Sequence, residues 1–215
     1  MKTLISVTLL FVSLSFFGQE NQDVEKILKD FSEKTTKFST IQAKFIFHHS
    51  TGAEGELDSF EGEIFIKDNK FKLIFPGNEI YSDGNTLWQY MADLNEVTIT
   101  EKDKEDDSFL SNPKNIFTVY KDEFKYKFNK EYAENGKQLY EIDLFPQKLE
   151  ESNYSRIRIK IVKTDLQLYS IEYFGKDQSK FLIEITGFKG DVPVADSFFM
   201  FNPKDYPGIE VSDMR

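Results

Sequence analysis

The chain has 215 residues, 40% of them hydrophobic, with 22 Phe, 10 Tyr and one Trp, and a formal net charge of −10. This length fits one or two domains, and the aromatic content suits strands. The negative charge argues against nucleic acid, whose binding needs Lys and Arg to neutralise phosphates, and against adsorption to anionic lipid surfaces. The absence of cysteine excludes disulfides, thiolate metal sites, a cysteine nucleophile and a lipidated N-terminal cysteine.

The first stretch, "MKTLISVTLLFVSLSFFGQE", has one lysine, an apolar run from Leu4 to Phe17 and a small residue before Gln19. That is the layout of a secretory signal peptide, with the cut expected after Gly18, give or take one residue. The run is shorter than the ~20 apolar residues of a membrane-spanning helix. The chain therefore divides into a signal peptide, residues 1–18, and one exported domain, residues 19–215.

"DVEKILKDFSEKTTKFST" places Val24, Ile27, Leu28 and Phe31 at helical spacing, with Phe38 beyond. The period then changes to two. "IQAKFIFH" puts Ile41, Ala43, Phe45 and Phe47 on one face, "LDSFEGEIFIKD" does the same for Phe60, Gly62, Ile64 and Ile66, and "KFKLIFP" for Phe71, Leu73 and Phe75. A hairpin follows, with a turn at Ser82-Asp83-Gly84-Asn85 and Leu87-Trp88-Gln89-Tyr90-Met91 on its return strand. The charged segment 101–111 interrupts the strands. "NPKNIFTVYKDEF" then predicts a short helix, capped by Asn112 with Pro113 in its first turn and Ile116, Val119 and Tyr120 as its apolar face.

The second half returns to strands: "FKYKFNKEY", "KQLYEIDLFP", "SRIRIKIVK", "LQLYSIEYFG" and "SKFLIEITGFK", separated by turn signals. In "SRIRIKIVK" Ile157, Ile159 and Ile161 alternate with Arg156, Arg158 and Lys160, as in an antiparallel sheet with one wet face. A sheet this long must curl or split. The expected architecture is mainly β with helices: a curved, half-open antiparallel barrel of about ten to eleven strands, capped by helices.

Catalytic chemistry has little support. His48 and His49 are the chain's only imidazoles; neighbours on a strand, they point to opposite faces and cannot serve one site. No Gly-x-Ser-x-Gly elbow, metal-ligand spacing, phosphate loop or dinucleotide fingerprint is present. Glu61 and Glu63 share a face, but it is the polar one. The expectation is a protein that is not an enzyme and carries no cofactor or metal. Its apolar face is either filled by its own side chains or left as a cavity for an apolar ligand; periodicity leaves both open.

Three stretches, "YSDGNTLWQY", "NPKNIF" and "FMFNPKDYPGIEVSDMR", resemble the LolA family, the periplasmic carriers of outer-membrane lipoproteins. The family hairpin reads close to Asp-Gly-Lys-Thr-Leu-Trp-x-Tyr, matched by Asp83 to Tyr90 with Asn85 in place of the lysine. Its tail, Phe-x-Phe-x-Pro then Gly-Val-x-Val-x-Asp, is matched by Phe199, Phe201, Pro203, Gly208, Ile209, Val211 and Asp213. The resemblance spans the mature chain. It implies a cavity that shields acyl chains between the inner and outer membranes, and a monomer. Its implied partners are acylated lipoproteins, an inner-membrane lipoprotein export complex and an outer-membrane receptor. A lipid-binding or lipoprotein-sensing module with another cargo is the alternative, and a secreted enzyme the third reading.

The lipid-facing residues expected are Phe45, Phe47, Ile64, Ile66, Phe71, Leu73, Trp88, Tyr90, Phe128, Ile142 and Ile159. For Trp88 two readings stay open: it lines the cavity mouth, or it packs against a helix or the back of the sheet. A glutamate at Phe71 is expected to block acyl binding and leave the fold intact. One departure concerns the lid. The arginine of the family's Arg-Pro pair is thought to hold it shut, and here Asp68 and Asn69 stand there. Lys67 or Lys70 is the candidate substitute, although an ammonium lacks the planar fork of donors.

Overall fold

The computed structural model describes residues 16–50, 58–103, 113–118 and 124–215, with side chains from residue 23 onward. The chain opens with helix α1 (Phe16–Thr36). Six strands follow: β1 (Ile41–Ser50), β2 (Asp58–Lys67), β3 (Lys70–Phe75), β4 (Asn78–Ser82), β5 (Thr86–Met91) and β6 (Glu96–Glu101). After the one-turn helix α2 (Asn115–Thr118) come β7 (Phe124–Glu134), β8 (Lys137–Pro146), β9 (Tyr154–Val162), β10 (Leu168–Gly175), β11 (Lys180–Gly190) and β12 (Glu210–Asp213).

All twelve strands form one sheet, ordered β12-β6-β5-β4-β3-β2-β1-β11-β10-β9-β8-β7. Its two end strands do not pair with each other, so the sheet is an open half-barrel. Neighbours run antiparallel except β12, which lies parallel to β6 with Val211 opposite Val97. This four-residue strand raises the number above the ten to eleven expected.

The alternation in the sequence becomes two faces. On the inner face Phe45 lies opposite Gly62 and Ile185, Ile64 opposite Ala43 and Leu73, and Ile159 opposite Ile142 and Ile171. These side chains merge into one buried cluster with Val24, Leu28 and Phe31 of α1 and Ile116 and Phe117 of α2. The spacing of 24, 28 and 31 turns a single stripe of α1 onto the sheet.

On the outer face Arg156, Arg158 and Lys160 of β9 stand as expected, held by carboxylates. Asp143, almost fully buried, accepts from Arg158 Nε at 2.8 Å and from Arg156 at 3.2 Å, and Lys160 reaches Glu134 at 3.0 Å.

A second, separate cluster occupies the outer face of β4–β6. Tyr81, Trp88, Tyr90, Val97 and Ile99 pack beneath Phe201, with Tyr206 and Ile209 alongside. The segment from residue 191 to β12 is thus a strap laid over the back of the sheet. Phe201 stacks on Tyr206 at 4.6 Å, and Phe198 meets Phe65 edge-on at 4.9 Å.

The signal-peptide assignment falls largely on residues 1–15, outside the described residues, while Phe16–Gly18 already belong to α1. Asn112, Val119 and Tyr120 and most of the charged segment also lie outside them. No described helix is long and apolar enough to cross a membrane.

Candidate functional site

The inner face is graded along the strands. Its middle is aliphatic and closed to solvent: Leu73, Ile142, Ile159 and Ile171 are each at most 1% exposed. Toward one rim the residues become aromatic and half-buried. Phe75, Phe60 and Phe47 stack in sequence across β3, β2 and β1, at 5.3 and 4.9 Å between centroids. Phe181 of β11 continues the arc 6.0 Å from Phe47, and His49 lies flat on it at 4.6 Å. Tyr173 and Tyr154 carry it onto β10 and β9, 5.7 Å apart. Stacked and edge-on pairs at these separations add to area burial.

The opposite side is roofed by α1. The ion pairs of Lys26 with Asp30 and Lys29 with Glu33 run within the helix. At its C-terminal end α1 is anchored toward the sheet. Lys34 donates to the Asp165 carbonyl. Phe38 lies against Gly190, where a Cβ would come within 2.1 Å of the ring. The Ser39 amide and hydroxyl both donate to Asp191 at 2.9 Å. The middle of α1, residues 23–30, flanks a cleft of about 520 Å³. Val24, Ile27, Phe128, Tyr140 and Leu166 form its apolar wall, with Asp23, Lys26 and Asp30 at the rim. The volume lies in the range of small-molecule sites.

The eleven residues expected to face lipid divide. Phe45, Ile64, Ile66, Phe71, Leu73, Ile142 and Ile159 sit together in the inner cluster, with Phe47 and Phe128 half-buried at its borders. Phe128 reaches the cleft. Trp88 and Tyr90 belong to the outer cluster instead. The odd-even parity of β5 that points Leu87 inward sends them outward, where the strap covers them. At 2% exposure a carboxylate at Phe71 would be buried in the inner cluster with only the Lys102 ammonium, 5.8 Å from the present ring centroid, near it, so its desolvation would also weigh on the fold.

Lys67 and Lys70 meet the start of a one-turn 3-10 helix, Asp196–Phe199. Both bind Asp196 of the strap, at 2.7 and 2.6 Å, and bring its carboxyl down to about 2 through those hydrogen bonds and charges. The β2–β3 turn between them has Asp68, at the family's arginine position, in the left-handed region at φ 54°.

His48 and His49 part as expected: His48 Nε2 meets Glu184 at 3.0 Å outside, and His49 stacks inside. Glu63 accepts from Gln42 on the outer face at 2.8 Å. Among the described residues no three His, Asp or Glu side chains gather as a metal site would require. Periodicity could not reveal the cleft or the strap, which are made by segments far apart in the chain.

Comparison with known structures places the fold. An uncharacterised conserved protein from Thermus thermophilus superimposes with a TM-score of 0.58 at 14% identity, covering 89% of this chain and 99% of its own. A DUF1329 family protein from Desulfovibrio piger gives 0.50 at 14% identity, covering 84% and 97%. A LolA superfamily protein from Nitrosomonas europaea gives 0.43 at 10% identity over 82% and 97%. No curated protein matches the chain. Residues 36–202 match the sequence pattern of the outer membrane lipoprotein carrier protein LolA, which takes in the open sheet from β1 through β11, and the chain belongs to the LolA family.

Proposed function

We propose that the protein is a periplasmic carrier that takes up the acyl chains of lipoproteins against its inner face and conveys them from the inner to the outer membrane. The observation that carries this reading is the opening of the apolar inner face beside α1, where Phe128 and Tyr140 form the wall of the cleft. An acyl chain in water costs roughly 0.8 kcal/mol per exposed CH₂, so a carrier needs apolar area that can be uncovered and covered, and no catalytic group. The helix roofing that area is fastened to the sheet by Lys34 and the Phe38–Ser39 corner at its C-terminal end. The apolar leader at residues 1–18 supports export, and an inner-membrane lipoprotein export complex is the expected donor.

Native mass spectrometry of residues 19–215 with a triacylated lipoprotein and with its unacylated form tests the proposal. A one-to-one complex with the acylated form alone is expected. Binding of both forms, or of neither, would refute it.

A further inference from the structure

Half-buried cations elsewhere on the sheet meet a carboxylate. Lys67 and Lys70 meet Asp196, Lys72 meets Glu79, Arg156 and Arg158 meet Asp143, and Lys160 meets Glu134. Lys102, directly after β6, is also half-buried but differs. The parity of β6 sends Val97 and Ile99 into the outer cluster, and so turns Thr98, Thr100 and Lys102 toward the inner face. Its backbone N–H donates to the Asn85 carbonyl at 2.7 Å, fixing it beside the β4–β5 turn. Its ammonium lies over the ring of Phe71, 5.8 Å from the centroid, and among the described residues no carboxylate or carbonyl meets it. Burial without a counter-charge lowers its pKa.

Phe71 joins Lys102 to the apolar floor: it pairs with Ile66 and Ser82 and packs in the inner cluster. A cation at the end of an apolar face suits an amphiphile whose chain lies on that face and whose head is anionic. A carboxylate or phosphate oxygen would supply the charge-assisted hydrogen bonds that the ammonium lacks, whereas a neutral acylated head would not.

We infer that Lys102 is an anion anchor at the end of the inner face, selecting acyl lipids with a carboxylate or phosphate head. The inference rests on the proposal that the inner face holds acyl chains, and adds a class of ligand to it.

The test measures binding of three probes to the mature chain: palmitate, phosphatidylglycerol and a triacylated lipopeptide with an uncharged peptide. Each is titrated against wild type, Lys102→Met and Lys102→Arg, with thermal melts to show that the variants are folded. The expected result is an affinity loss of about tenfold or more for an anionic probe in Lys102→Met. Lys102→Arg should keep that affinity, and the lipopeptide should bind all three proteins alike. A response to palmitate alone identifies the carboxylate as the ligand, and one to phosphatidylglycerol alone the phosphate. Equal loss for all three probes in Lys102→Met, or loss for none, overturns the anchor. Lys102-dependent binding of an anionic lipid without binding of the lipopeptide would keep the anchor and remove the carrier proposal. No binding of any probe would remove both.

Discussion

Replacing Gly62 by alanine probes how Phe45 is seated. Gly62 faces Phe45 across the β1–β2 pair, and a Cβ built on it falls 2.3 Å from Cζ and 2.7 and 2.9 Å from the two Cε atoms of that ring. Ordinary carbon contacts lie near 3.6 Å, so the ring must retreat by roughly 1.3 Å. Its neighbours are buried core residues and Phe45 is itself 3% exposed, so the retreat overpacks the inner face, at about 1–3 kcal/mol. The lower backbone entropy cost of alanine in a strand returns about 0.5–1 kcal/mol. The expected net loss is about 1–2 kcal/mol, or roughly 3–6 °C in Tm for a domain of this size. Urea unfolding of wild type, Gly62→Ala and Gly62→Ala/Phe45→Leu would measure it, and the smaller side chain should restore part of the loss. Unchanged stability of Gly62→Ala would refute the reasoning, because it would mean that the ring swings freely into open space in front of β1.

Asp143→Asn should destabilise by about 2–3 kcal/mol, less than the ~3–5 kcal/mol of a fully buried broken pair, because Arg156 and Arg158 retain contact with water. Burial alone would raise the Asp143 carboxyl, but hydrogen bonds from Arg158 and Asn129 and the charges of Arg158 and Arg156 outweigh it and hold it below its usual range. Its contribution is therefore present above the unfolded pKa of about 3.9 and is lost as pH falls through the lower folded value; urea melts at pH 7 and pH 3 should show the gap between wild type and variant closing in acid. Phe128→Glu, at the half-buried edge of the cleft, should lower acyl affinity at least tenfold while the thermal melt stays cooperative; undiminished binding would remove the cleft from the site. Replacing Lys67 and Lys70 together with alanine should let the Asp196 carboxyl rise from about 2 toward about 3.9 in an NMR titration and leave acyl binding unchanged, and a binding defect would return these lysines to lid closure.

The half-barrel was legible wherever one face of a strand is wet. In β9 the three isoleucines and three cations assign inside and outside without ambiguity. The same reasoning stops at β4 and β5, because both faces there are apolar: Ile80 and Leu87 point inward, Tyr81, Trp88 and Tyr90 outward. Period two separates two faces but cannot say which is inside once a strap more than 100 residues away covers the other. The pairing of β12 with β6 is legible neither in hydrophobicity nor in turn chemistry, since it joins Glu210–Asp213 in parallel to a strand from the first half of the chain. Lys67 and Lys70 were visible as cations near the family's arginine position, but their partner Asp196 is 129 and 126 residues distant.

The inner and outer clusters share no residue, and the Asp143 and Glu134 ion pairs lie on the outer face as well. Moving α1 away from the sheet would therefore leave the strap and the outer ion pairs untouched. Among the described side chains of α1, those it would expose are chiefly Val24, Leu28 and Phe31. At about 1.5–3 kcal/mol for each buried side chain, these three contribute roughly 5–9 kcal/mol to the seat of α1. A palmitoyl chain, with about 14 methylenes at ~0.8 kcal/mol each, gains roughly 11 kcal/mol when it leaves water. One acyl chain thus matches or exceeds the contribution of these three side chains, and a triacylated anchor exceeds it even after the ~4–15 kcal/mol of lost translational and rotational freedom. On the proposed carrier reading, the displacement of Val24, Leu28 and Phe31 from the sheet is therefore a cost that an entering acyl chain can offset.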